Sequence, residues 1–253
     1  MIKLFIIAGV LFLVGWLIRQ PAIKGMFGEL LVKLCLKRNL DLQTYRLLNN
    51  VMIHDQDGGT TQIDHLVLSP FGIFVVETKN MKGWIFGDKN SDQWTQQIFK
   101  SKHKFQNPFR QNYKHIMCLG ELTGLPKETF IHTIVFTGDC DIKTRDKLPE
   151  SLVTSGQELV KYIHSFTTPS FTEEEIEAAQ SAILAGKVAN TMKNRREHVA
   201  HVKEIVEEKS QQPPTCTKCG SLMVQRQVKS GDRAGQTFWG CSQYPKCRCI
   251  INS

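Results

Sequence analysis

The sequence predicts an α/β fold, a mixed sheet flanked by helices, on three observations. Residues 62–79, QIDHLVLSPFGIFVVETK, read as two apolar strands joined by a turn at Ser69-Pro70-Phe71-Gly72. Helical periodicity precedes this stretch, and a second helix signal opens after it at Asn107-Pro108. A further apolar run, IHTIVFT at residues 131–137, has the composition of a buried strand.

Residues 4–18, LFIIAGVLFLVGWLI, form an unbroken apolar run between Lys3 and Arg19. A spanning helix needs roughly 17–25 residues, and Met1 and Ile2 extend the run while Lys3 and Arg19 can snorkel. No small-x-small cleavage pattern follows, so residues 1–20 are expected to be a single-pass membrane anchor. Arg19, Lys24, Lys33, Lys37 and Arg38 follow the run and only Lys3 precedes it, which places the body on the cytoplasmic side. A helix is expected over residues 22–37, with Phe27, Leu30, Leu31, Leu34 and Cys35 on one apolar face and Glu29 at its margin. Gly25 and Gly28 are poor helix formers, and close backbone approach is a reason to keep them.

A strand is expected over residues 44–54, then a turn at Asp57-Gly58-Gly59 and the two strands described above. Residues 84–86 and 94–98 read as a short hairpin, with Trp84 and Trp94 as packing residues. The helix from Asn107-Pro108 extends to about Leu122, and Ser155 with Glu158 three residues on caps another over 155–165. Residues 172–210 are charged and helical in composition, Gly186 breaks them, and His198 and His201 sit on a solvated face. Gln211-Gln212-Pro213-Pro214 is a linker. The expected organisation is an anchor (1–20), a main domain (21–170), a charged helical linker (171–212) and a terminal module (213–253).

With 41% hydrophobic and 22% charged residues, the chain is globular rather than disordered. Its formal net charge of +8 favours polyanionic partners, nucleic acid or an anionic lipid surface. Of its eight cysteines, five lie in the last 38 residues, which suits a metal site in a reducing compartment rather than a disulfide framework.

Acidic groups interrupt the apolar strands where a buried strand should carry none. Alternation places Ile73, Val75, Glu77 and Lys79 on one side of their strand. Counting outward from the turn, with residues 69 and 72 opposed, Asp64 faces about position 77. Two carboxylates that close repel unless a cation lies between them. Oxygen ligands of this kind suit Mg²⁺, which accepts phosphate oxygens and activates water. Lys79 can stabilise the charge that develops at phosphorus or orient the water, and Glu29 can add a ligand or a supporting contact. On residue pattern alone, a surface ion pair with a turn-capping Asp64 is the favoured explanation, because such a pattern often arises by chance. His65 is expected on the opposite sheet face, in a structural role.

The set Gln62-Ile63-Asp64-His65, Phe71-Gly72-Ile73-Phe74-Val75-Val76-Glu77-Thr78-Lys79-Asn80 and Lys82-Gly83-Trp84-Ile85 resembles the NERD, or nuclease-related, domain. Gly25-x-x-Gly28-Glu29 resembles its opening motif, and Asn107-Pro108-Phe109-Arg110-Gln111-Asn112 its later helix motif. The resemblance implies a restriction-endonuclease-like sheet and a catalytic core of Asp64, Glu77 and Lys79, with Glu29 and Gln111 alongside. It supports the fold more firmly than turnover.

In the terminal module, Cys216-x-x-Cys219 and a second cysteine group from Cys241 are separated by 21 residues, the spacing of a tetrahedral Zn²⁺ ribbon. Zinc replaces the core that so short a segment cannot bury. From spacing, Cys247 and Cys249 compete as fourth ligand. The run Gly240-Cys241-Ser242-Gln243-Tyr244-Pro245-Lys246-Cys247 resembles the topoisomerase-type four-cysteine zinc finger, which implies Cys247 and DNA binding, single-stranded in character. Phe238, Trp239 and Tyr244 are then candidates to stack bases, and Arg226, Lys229, Arg233, Lys246 and Arg248 to meet phosphates. The finger does not make the chain a topoisomerase, because no room remains for the large scaffold around a nucleophilic tyrosine. Two functions follow as expectations: a membrane-anchored, Mg²⁺-dependent nuclease, or a catalytically inactive DNA-binding or tethering protein on the same fold.

Overall fold

The computed structural model describes residues 21–189, 213–231 and 234–252, with five positions between 191 and 200. The expected anchor, the later part of the charged linker, His198, His201 and Arg233 lie outside the described residues. Among the described residues, no helix is long and apolar enough to cross a membrane. The chain forms two compact units, Met1–Asn190 and Thr191–Ser253.

In the first unit, helix α1 (Pro21–Asn39) leads into an antiparallel meander of β1 (Arg46–His54), β2 (Thr60–Ser69) and β3 (Gly72–Asn80). The β2–β3 turn closes on Ser69 opposite Gly72, whose φ of 154° and lack of a Cβ let Ile131 pack against it. Strands β4 (Gly83–Phe86), β5 (Gln93–Ile98) and β6 (Ser101–Gln106) follow, then α2 (Pro108–Thr123) and β7 (Phe130–Thr137). The short β8 (Cys140–Ile142) and β9 (Leu152–Val153) precede α3 (Gly156–His164) and α4 (Glu173–Ala185). One sheet has the order β1-β2-β3-β7-β9, with β7 parallel to β3, and the other β6-β5-β4-β8. The sheet is therefore mixed and flanked by helices.

Helices cover both faces of the larger sheet. Ile63, Leu66, Leu68, Ile73 and Val75 pack against Ile116 and Leu119 of α2 and Ile176 and Ile183 of α4. On the other face Val67, Phe74, Val76 and Val135 meet Val32 and Leu36 of α1 and Leu159 and Ile163 of α3. A third cluster holds Trp94, which is fully buried and stacks on Phe136 at 6.0 Å. Trp84 instead is half exposed under the Lys143 ammonium.

Helix α1 departs from the expected orientation. Its predicted apolar face, Phe27, Leu30, Leu31 and Leu34, is exposed, and the sheet takes the side bearing Gly28, Val32 and Leu36. The reason is backbone approach: a Cβ at Gly28 would lie 2.7 Å from Asn80 Cβ and 2.9 Å from Thr137 Oγ1. Gly25 has nothing within 4 Å, so this explanation holds for Gly28 alone. Strand β6 was not foreseen, because SKHKFQ has only Phe105 to bury and its other side chains stand in water.

In the second unit, β10 (Met223–Gln227), β11 (Thr237–Cys241) and β12 (Ile250–Asn252) form an antiparallel sheet. Its small core is Cys216, Met223, Cys241 and Cys249, with Trp239, Cys247 and Ile251 against it.

Candidate active site and zinc module

The β2–β3 ladder runs from Ser69–Gly72 to His65–Val76, so its next step sets Asp64 opposite Glu77. There the side chain replaces the backbone: Thr78 N–H donates to Asp64 Oδ2 at 2.8 Å. Strand alternation changes phase at this level. Leu48 and then Val51 and Ile53 of β1, and Ile63 and then Leu66 and Leu68 of β2, reach the same core cluster. Asn50, between those β1 residues, has φ 54°. The irregularity turns the carboxylate away from the apolar layer.

Glu77 is buried, and both of its oxygens are engaged. Lys79 Nζ donates to Oε1 at 2.7 Å, and His115 Nε2 lies 3.2 Å from Oε2. Lys79 also donates to Gln111 Oε1 at 2.8 Å, and His115 Nδ1 lies 2.8 Å from Thr61 Oγ1. Helix α2 supplies Gln111 and His115 one turn apart, and its sequence fixes where it starts. Asn107 caps it by accepting from Phe109 N–H at 2.9 Å, while its amide nitrogen reaches the carbonyls of Asp88, Lys89 and Ser91. Pro108 fills the first turn, Phe109 enters the core, and buried Asn112 donates to Val75 O at 2.8 Å. The Asn-Pro-x-Arg-Gln-Asn stretch thus pins α2 to β3 with Gln111 facing Lys79.

The electrostatics divide the carboxylates. Burial pushes the Asp64 carboxyl well above its usual range, and the charges of Glu77 and Glu29 push it further. Burial also opposes the charge on Glu77, but the Lys79 ammonium and the His115 hydrogen bond outweigh it and hold Glu77 at about 2. Lys79 is raised: burial disfavours its charge, but Glu77, Asp64 and Glu29 overcome that. Glu29 reaches this field because Gly28 lets α1 approach the strand ends. The structure therefore brings Asp64, Glu77, Lys79, Glu29 and Gln111 into one neighbourhood. His65 faces away, with Nδ1 2.7 Å from Asn49 Oδ1, and burial lowers it to about 4. His115 and Thr61 were not foreseen, and the available signal was the i, i+4 spacing of Gln111 and His115 on one helix.

Among the described residues, the group of three or more His, Cys, Asp or Glu side chains with ligand atoms close enough for one ion is Cys216, Cys219, Cys241 and Cys247. The acidic residues are not drawn together to that degree. The four Sγ atoms lie within 4.8 Å of one another, Cys216 and Cys247 at 3.6 Å and Cys219 and Cys241 at 3.4 Å. Sulfurs around one Zn²⁺ at about 2.3 Å stand about 3.8 Å apart, so the tetrad fits. Backbone N–H groups of Lys218 and Gln243 point at Cys216 and Cys241 sulfurs, as thiolates require. Cys249 lies outside the tetrad, against Thr217 Oγ1. Of the proposed base-stacking residues, Phe238 lies opposite Arg226 on one sheet face, and Arg226 stacks over exposed Tyr244. Trp239 points the other way, into the cysteine core. Lys229, Lys246 and Arg248 are exposed.

Residues 24–137 match the nuclease-related domain family, NERD, and residues 214–253 match the topoisomerase DNA binding C4 zinc finger. Over 171 residues the chain is 41% identical to an uncharacterized protein of Bacillus anthracis, an alignment spanning 66% of this chain and 79% of that protein. No solved structure matches the chain. This chain belongs to the NERD family and carries a C4 zinc finger of the topoisomerase type at its C-terminal end.

Proposed function

We propose that this protein is a divalent-metal-dependent nuclease of the restriction-endonuclease-like kind, held at a membrane by residues 1–20 with its body on the cytoplasmic side. The observation that carries this reading is the step of the β2–β3 ladder that opposes Asp64 to Glu77, with Lys79 bonded to Glu77 and Gln111. The oxygen donors suit Mg²⁺, which would be held by Asp64 and Glu77 with Glu29 in support. When bound, such an ion polarises a phosphate and lowers the pKa of water. Lys79 contributes a fixed ammonium for the charge that develops at phosphorus, and Gln111 aims it. His115 and Thr61 orient Glu77 from behind. The zinc finger holds DNA through Arg226, Phe238 and Tyr244, and exposed Lys100, Lys102 and Lys104 on the β5–β6 hairpin add phosphate contacts beside α2.

The second reading, a catalytically inactive DNA-binding protein, is favoured by the engagement of both Glu77 oxygens with Lys79 and His115. Calorimetric Mn²⁺ titration of the zinc-loaded chain separates the two. Nuclease function requires one Mn²⁺ site beyond zinc, lost in Asp64→Asn and Glu77→Gln. Heat unchanged by both substitutions would leave the inactive reading standing.

A further inference from the structure

We propose that the outer face of α1 is a bilayer-contact surface, on which the helix lies in the headgroup region of an anionic membrane. Ile23, Met26, Phe27, Leu30, Leu31 and Leu34 are all exposed, between 37% and 56%. They recur at i, i+3, i+4, i+7, i+8 and i+11, so they form one continuous stripe opposite the Gly28, Val32 and Leu36 side that packs on the sheet. Soluble surfaces rarely carry so many contiguous large apolar residues. The border of the stripe is basic. At about 100° per residue, Lys24 and Lys33 fall on its two edges, and Lys37 and Arg38 close its C-terminal end. All four are exposed, and long basic side chains beside an apolar face can reach lipid phosphates while their stems stay apolar.

The occupant follows from chain connectivity. Only Arg19 and Gln20 separate the apolar run of residues 4–18 from Pro21, so a bilayer that receives that run meets α1 next. Anionic headgroups supply the counter-charge for the four cations that border the stripe. With one side committed to the sheet, α1 lies along the surface rather than across it.

The inference rests on the anchor reading for the nearness of the membrane, and the test keeps the two apart. The full chain is reconstituted in phosphatidylethanolamine–phosphatidylglycerol vesicles that contain a lipid with an acyl-chain diazirine. After illumination, adducts are mapped by mass spectrometry. Adducts on Phe27, Leu30 and Leu34 are expected severalfold above those on Phe99, which is 94% exposed in the same unit. They should be lost in the Leu30→Glu, Leu34→Glu variant, whose changes fall on exposed positions. Adducts confined to residues 4–18 would overturn the inference and leave the anchor intact. Adducts on α1 without any on residues 4–18 would support the inference and remove the anchor. Crosslinking of α1 to a second copy in place of lipid would overturn it in favour of a dimer.

Discussion

Asp64 illustrates the chemistry at the scale of one residue. Its carboxyl is raised by burial and by Glu77 and Glu29, with the Thr78 N–H and Lys79 opposing only in part. A carboxyl whose folded pKa is raised makes the protein less stable as pH climbs from the unfolded value, near 3.9, through the folded one. Asp64→Asn keeps an oxygen for the Thr78 N–H and removes that titration. In metal-free protein at neutral pH, the variant is expected to be more stable by about 1 kcal/mol, roughly 2–4 °C in Tm. The gain should vanish near pH 4, as read by thermal melts across pH. A variant less stable than the parent at pH 7 would mean that Asp64 is not strained. The placement of Asp64 against Glu77 was legible in the sequence, because a two-residue turn fixes register and register fixes neighbours. His115 was not, because a histidine on a helix announces nothing until the helix is laid on a strand 38 positions away.

At the scale of elements, two glycines of α1 differ in physical role. Gly28→Ala forces a Cβ against Asn80 and Thr137, and should destabilise the first unit by about 1–3 kcal/mol while moving Glu29 off the site. Gly25→Ala meets open space and should stabilise by about 0.5–1 kcal/mol through helix propensity. Urea midpoints of the two variants check this, and equal shifts would contradict it. Periodicity made α1 legible as a helix but not its buried side, because α1 has two apolar faces and only backbone approach at Gly28 decides between them. The same limit hid β6, whose ladder with β5 rests on backbone bonds rather than on an apolar pattern.

At the scale of the whole molecule, the two units rely on different stabilising forces. The first has three apolar clusters, and the second has a core built around cysteines. Stripping zinc should therefore unfold residues 213–252 and leave the first unit folded. Amide exchange would show this as protection lost in β10 and β11 and retained in β3. Loss in both units would contradict it. The zinc module was the most legible part of the chain, since cysteine spacing signals the site, although spacing alone left Cys247 and Cys249 competing for the fourth place that the tetrad gives to Cys247. The layered sheet was legible in outline, through its apolar strands and caps, while the split into two sheets depended on contacts of Trp94 and Phe136 that no local pattern records. Cleavage of labelled single- and double-stranded DNA by the full, zinc-loaded chain in Mg²⁺ or Mn²⁺ addresses the proposed activity itself. Cleavage is expected with metal, absent with chelator, and reduced at least 10²-fold, an order-of-magnitude figure, in Glu77→Gln and Lys79→Ala. No cleavage under any metal, or equal cleavage by parent and both variants, would contradict the assignment of Asp64, Glu77 and Lys79 as a nuclease site.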